Sequence, residues 1–191
     1  SNVHKILFDN TKAIGIEAVI NGEKKKIFAN KEVIVSCGSI NSPKLLQLSG
    51  IGDHEDLKEH GINVIQHLPG VGKNLQDHLE IYIQHESKKR ETLYSLFNNP
   101  FLKVYSGVQW FLFKKGLLSH SHLELGGFVN SHSKYKHPNI QFHFFPSLVF
   151  NHGLTNPNKH GFQFHASPNR PTSRGFVKLR SNNPNDNPKI Q

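Results

Sequence analysis

The chain has 191 residues, 36% of them hydrophobic and 14 of them Phe, enough apolar material for one domain or two small ones. Lys plus Arg number 23 against 14 Asp plus Glu, a formal net charge of +9; a single cysteine, Cys37, excludes a disulfide framework and a cysteine-built zinc site. No run is long enough to cross a membrane, and no charged-then-apolar leader opens the chain.

The basic residues are dispersed. Only Lys24–Lys26 and Lys88–Arg90 cluster, and neither is interleaved with aromatics as a surface for single-stranded nucleic acid would be. A solvated basic surface is the simpler reading. There is no Met, even at position 1, so the chain is expected to be an internal piece of a longer polypeptide.

Residues 3–8, VHKILF, and 13–20, AIGIEAVI, alternate and are rich in Ile and Val, with DNTK between them as a turn. They predict a hairpin. NGE at 21–23 turns the chain again. Val33, Ile34 and Val35 then run together, as in a strand covered on both faces. Ser42 is placed to cap a helix whose first residue is Pro43 and whose end is Gly50. A second short helix is expected over 53–60, capped by Asp53 and stopped by Gly61. Residues 62–78 read as a strand and a Gly/Pro-rich loop.

The texture changes near residue 79. LEIYIQHE (79–86) sets Leu79, Ile81 and Ile83 against Glu80, Tyr82 and Gln84. NIQFHFFP (139–146) groups Gln141, His143 and Phe145. GFQFHAS (161–167) and RGFVKLRS (174–181) are further strand candidates, and 93–118 is aromatic and partly helical in pattern. The expected class is mixed α/β and α+β, with one region over 1–78 and a sheet-rich region over 79–191.

A buried strand ending in Cys37-Gly38 and feeding a helix is where open α/β sheets gather ligands. Small residues admit a ligand to the backbone, and a helix N-terminus favours negative charge. Structural packing is the plain alternative at every such turn.

The stretch Gly38-Ser39-x-x-Ser42-Pro43 through Leu45-Leu46 to Ser49-Gly50-Ile51-Gly52 resembles the second signature of the glucose–methanol–choline (GMC) oxidoreductases. LPGVGKNLQDHLE (68–80), PNIQFHFFP and HGFQFHASPNRPTSRGFVKLRS are similar to later segments of choline-oxidising members. The resemblance implies part of an FAD-binding Rossmann-like domain over 1–78 and part of an antiparallel-sheet substrate domain over 79–191. The implied activity is oxidation of a small alcohol, choline or a similar one, by hydride transfer to FAD. Val3, Cys37 and Gly38 match cofactor-binding positions. Glu80 matches a carboxylate that holds a trimethylammonium group, and His143 a histidine that bonds the alcohol oxygen. Leu123, just before Glu124, stands where choline oxidases carry a tryptophan near the ammonium, which removes one cation–π partner.

No G-x-G-x-x-G fingerprint occurs, and the family's catalytic pair, a His with a second His or Asn, matches nothing in these residues. The catalytic set is therefore expected outside this stretch. The alternatives are a basic module holding nucleic acid and a non-catalytic remnant of the same fold. The electron acceptor, oligomeric state and compartment (bacterial cytoplasm or membrane, or mitochondrion) are not legible, and membrane association of the full-length protein is compatible with the resemblance. His122 and Glu124 have the H-x-E spacing of zinc deaminases but lack its P-C-x-x-C partner, and SHSH at 119–122 reads as a polar loop. One outcome follows: the purified 191-residue chain should lose flavin absorbance on gel filtration and oxidise no alcohol. Retained flavin absorbance would contradict this.

Overall fold

A computed structural model describes residues 2–119, 121, 123, 125–155 and 157–191. The chain divides into two units, Ser1–Gln76 with Thr172–Gln191, and Asp77–Pro171.

The first unit opens with the expected hairpin, β1 (Asn2–Asp9) and β2 (Lys12–Ile20), paired antiparallel. β2 then pairs with β3 (Glu23–Phe28) across Asn21-Gly22, whose φ angles are 52° and 84°. Positive φ at both positions is what a type I′ hairpin turn demands. β3 carries no apolar alternation and all six of its residues are exposed, so backbone pairing to β2 makes it a strand. Ile6 and Ala18 are buried. The Ile6 N–H donates to Ser49 Oγ at 2.8 Å, and that hydroxyl donates to the Leu45 carbonyl at 2.6 Å.

Two expectations are corrected here. Val33–Val35 belongs to no strand and has no sheet partner among the described residues, and Ile34 is 78% exposed. Covering both faces requires a strand inside a layered sheet, and β1–β3 pair only with one another. Secondly, α1 spans Gly38–Leu48, so Ser42 is inside the helix and Pro43 follows within it. The Ser42 hydroxyl instead accepts the Cys37 N–H at 2.9 Å, satisfying a donor that a helix start leaves open. Pro43 costs the helix one backbone bond. Gly50, at φ 87°, ends it as expected.

β4 (Ile51–Gly52) leads to α2 (His54–Glu59), whose N-cap Asp53 accepts the Glu55 N–H. Lys73 lies 3.2 Å from Asp53 and holds its carboxyl below the ordinary carboxylate value. β5 (Gln66–His67) runs parallel to β4, and β6 (Lys73–Leu75) follows.

The second unit is built on a four-stranded antiparallel sheet in the order β7 (Ile81–Glu86), β10 (Gly161–Pro168), β9 (Ile140–Phe145), β8 (Leu125–Val129). Two helices, α3 (Tyr94–Asn98) and α4 (Pro100–Phe113), lie between β7 and β8 in sequence. The register sorts the side chains. Phe144 and Phe164 share one face at 5.1 Å between ring centroids, and Phe162 joins them at 5.7 Å from Phe144. Tyr82, Gln84, Gln141, His143, Gln163 and His165 occupy the other. A cavity of about 580 Å³ includes Leu96, Leu102, Leu125, Phe144 and Phe162 in its lining. α4 is capped by Asn99, which accepts the Leu102 N–H. It leaves Phe101, Val104, Tyr105, Val108, Phe111 and Leu112 at 50–88% exposure, a stripe at helical spacing.

The chain then returns to the first unit. β11 (Gly175–Lys178) pairs with β6 and with β12 (Lys189–Ile190). Residues 172–191 were expected in the sheet-rich region; pairing with β6 and bonding to α1 place them in the first unit instead. Gln47 on α1 is 4% exposed. Its amide donates to the Val177 carbonyl at 2.9 Å and accepts the Leu179 N–H at 3.1 Å. Around it Leu45, Leu48, Leu57, Val177 and Leu179 are buried. Gly72 has φ 78°, and a side chain there would run into the Val177 carbonyl.

Gln47→Ala strands a buried carbonyl and a buried N–H, and should lower unfolding free energy by about 2–4 kcal/mol. Asp56→Asn removes a partly exposed ion pair with Lys178 (2.8 Å) and should cost under about 1 kcal/mol. Urea denaturation of both variants checks the order; equal losses would show that Gln47 does not join α1 to β11.

Candidate functional site

The sequence places candidates in both units, and each group is built by its own unit. In the first, Val3 from β1 and Cys37 before α1 line one cavity of about 210 Å³, with Asn2, Asn41, Leu45 and Leu48. The hairpin brings Val3 there because β1 packs against α1 through Ile6 and Ser49. Gly38 is the first residue of α1, has φ 80°, and has open space where a Cβ would stand. No acidic residue occupies the first turn of α1, so nothing there offsets the helix dipole. Lys44, which also lines the cavity, donates to the Pro184 carbonyl at 2.7 Å. Cys37 is exposed and unbridged.

In the second unit, a single rung of the sheet carries the candidates. His165 on β10 pairs directly with Tyr82 on β7 and with His143 on β9. The Tyr82 ring lies 5.5 Å from the His165 ring at 31°, and the His143 ring 6.4 Å from it, near edge-on at 69°. Glu80, one residue before β7, places Oε2 3.0 Å from His165 Nδ1. Glu80 and His143 thus meet through His165. The Glu80 side chain is 41% exposed and that of His165 only 16%. Two buried polar atoms on this face, Gln163 Oε1 and His165 Nε2, have no hydrogen-bond partner among the described residues. An orphaned buried polar atom is costly, which marks this face as one that a ligand can complete.

His165 was missed in the sequence. Its signal was the alternation of GFQFHAS laid antiparallel against QFHFF, but which histidine stands opposite which depends on register, and register is set by pairing. The tryptophan-replacing Leu123 is 55% exposed. The readings at His120, His122 and Glu124 lie outside the described residues.

Residues 1–80 match the family model described as GMC oxidoreductase. The chain is 51% identical over 189 residues to human mitochondrial choline dehydrogenase, covering 99% of this chain and 32% of that protein. It is 47% identical over 187 residues to the oxygen-dependent choline dehydrogenase of Brucella ovis, covering 98% and 34%. Among solved structures, a formate oxidase of Aspergillus oryzae superposes with a TM-score of 0.84 at 24% identity, over 99% of this chain and 38% of that one. An FAD-dependent oxidoreductase from Chaetomium thermophilum superposes with a TM-score of 0.64 at 25% identity, over 99% and 39%. The chain spans about a third of the length of the curated relatives it matches. A family match over the first unit's N-terminal residues, and kinship over nearly the whole chain, lead to one conclusion: this chain belongs to the GMC oxidoreductase family.

Proposed function

We propose that this chain is part of an FAD-dependent alcohol oxidoreductase that oxidises choline to its aldehyde. The observation that carries the reading is the β7–β10–β9 rung, which gathers a carboxylate, a phenol ring and two imidazoles on one sheet face.

Choline is a permanent cation with a hydroxyl at its other end. The Glu80 carboxylate supplies the negative charge for the ammonium, and Tyr82, 53% exposed, supplies an aromatic face beside it. His143 stands across the rung, where an imidazole nitrogen can bond the alcohol oxygen and orient the carbon that loses hydride. Splitting the two tasks between rung ends positions a substrate at both ends, and positioning is a large part of rate enhancement.

The residues of the first unit fit part of FAD. The cavity at Val3 and Cys37 is smaller than the roughly 300–1,000 Å³ that drug-sized ligands occupy, so it suits one ring system of a dinucleotide. Val3 and Cys37 would hold that ring, and the unobstructed backbone at Gly38 admits a close approach. When bound, FAD supplies the hydride acceptor. Family kinship to FAD-dependent enzymes supports this assignment. A mitochondrial setting for the parent protein is supported by relatives that carry the mitochondrial name.

In the flavin-loaded enzyme, Glu80→Gln should raise KM for choline roughly 10- to 150-fold, the equivalent of about 1.5–3 kcal/mol. KM for the uncharged analogue, with tert-butyl in place of trimethylammonium, should move less than threefold. Equal effects on both substrates would remove Glu80 from the ammonium site.

A further inference from the structure

We infer that His165 is the residue that positions Glu80, and that it sets the preference for a cationic alcohol without touching the cation itself. This rests on the reading of Glu80 given above.

Glu80 lies one residue before β7, outside its ladder with β10, and its side chain is 41% exposed. A carboxylate so placed has several rotamers, and each costs entropy to select. His165 removes that freedom. Its own orientation is set by the ladder on both sides, by the Tyr82 ring at 5.5 Å and by the His143 ring at 6.4 Å. It therefore offers Nδ1 to Glu80 Oε2 at 3.0 Å from a fixed frame. The pair meets at ion-pair distance, and because a carboxylate only accepts, Nδ1 is the atom through which His165 holds it. Nε2 meets neither donor nor acceptor among the described residues. Oε1 takes no part in that contact and is the oxygen assigned to the ammonium. His165 thus acts on the substrate through the carboxylate.

Two substitutions separate positioning from mere packing. His165→Asn keeps a side-chain N–H close to where Nδ1 stands, whereas His165→Phe keeps a ring against Tyr82 and loses the donor. In the flavin-loaded enzyme, His165→Phe should raise KM for choline about tenfold. KM for the tert-butyl analogue, and kcat for either alcohol, should move less than threefold. His165→Asn should recover most of the loss, and Glu80→Gln/His165→Phe should be no worse than Glu80→Gln alone. A His165→Phe loss equal for both alcohols, no rescue by Asn, or additivity in the double variant would overturn the inference.

The contact has its own readout. Long-range proton–nitrogen NMR spectra of the flavin-loaded enzyme should show the His165 ring protonated at Nδ1, and Glu80→Gln should shift it towards the Nε2-protonated form. An Nε2-protonated ring in the unsubstituted chain would also overturn the inference. If the spectra behave as expected but Glu80→Gln does not discriminate the two alcohols, the ammonium reading fails while the pairing stands.

Discussion

The register of β10 is the constraint on which the candidate substrate face depends. β10 is hydrogen-bonded on both edges, to β7 and to β9, so its side-chain facing is decided twice over. A one-residue slip would carry Phe162 and Phe164 to the polar face and turn His165 to the apolar one. Both faces resist this: the phenylalanine cluster would lose its stacking partners, and buried Gln163 would enter an apolar layer. Because His165 can stand opposite Tyr82 and His143 in only that register, the packing on one face of the sheet holds the chemistry on the other.

The first unit is held by a polar pin of a different kind. Gln47 is a helix residue that bonds to β11 backbone as a neighbouring strand would, through both ends of one amide. Ser49, two residues on, does the same for β1 with one hydroxyl that both accepts and donates. α1 is thereby joined to strands at opposite ends of the sequence, and the cavity at Val3 and Cys37 opens along that same helix. The pins explain why an α1 of modest amphipathicity and with Pro43 inside it keeps a defined place.

The uncovered apolar stripe of α4 belongs to the same physical picture as the bare Val33–Val35 segment. The Val33–Val35 run reads as a strand covered on both faces, yet Ile34 is exposed and Val33 and Val35 are only half-buried; the α4 stripe is exposed as well. Apolar residues state a preference for burial; whether it is met depends on which other surfaces are present to meet it.

Much of the local structure was legible in the residues. Asn21-Gly22 dictates its turn, Asp53 and Gly61 bracket α2, and the alternation through 79–86 and 139–146 assigns faces to β7 and β9. Kinship was legible as well, because the second signature and the segments after it are contiguous motifs. Three features were not: that β11 returns to pair with β6, that α1 starts at Gly38, and that His165 joins Glu80 to His143. The first and third depend on partners far apart in sequence, as does the pairing of Gln47 with Leu179 across 132 residues, whereas the start of α1 goes with the local bond from Cys37 to Ser42. By itself the sequence determined turns, periodicities and family, since these are set by neighbours within a few residues. Only the tertiary structure decided which strand lies beside which, and hence which histidine completes the rung, because pairing is settled by the joint burial of distant segments.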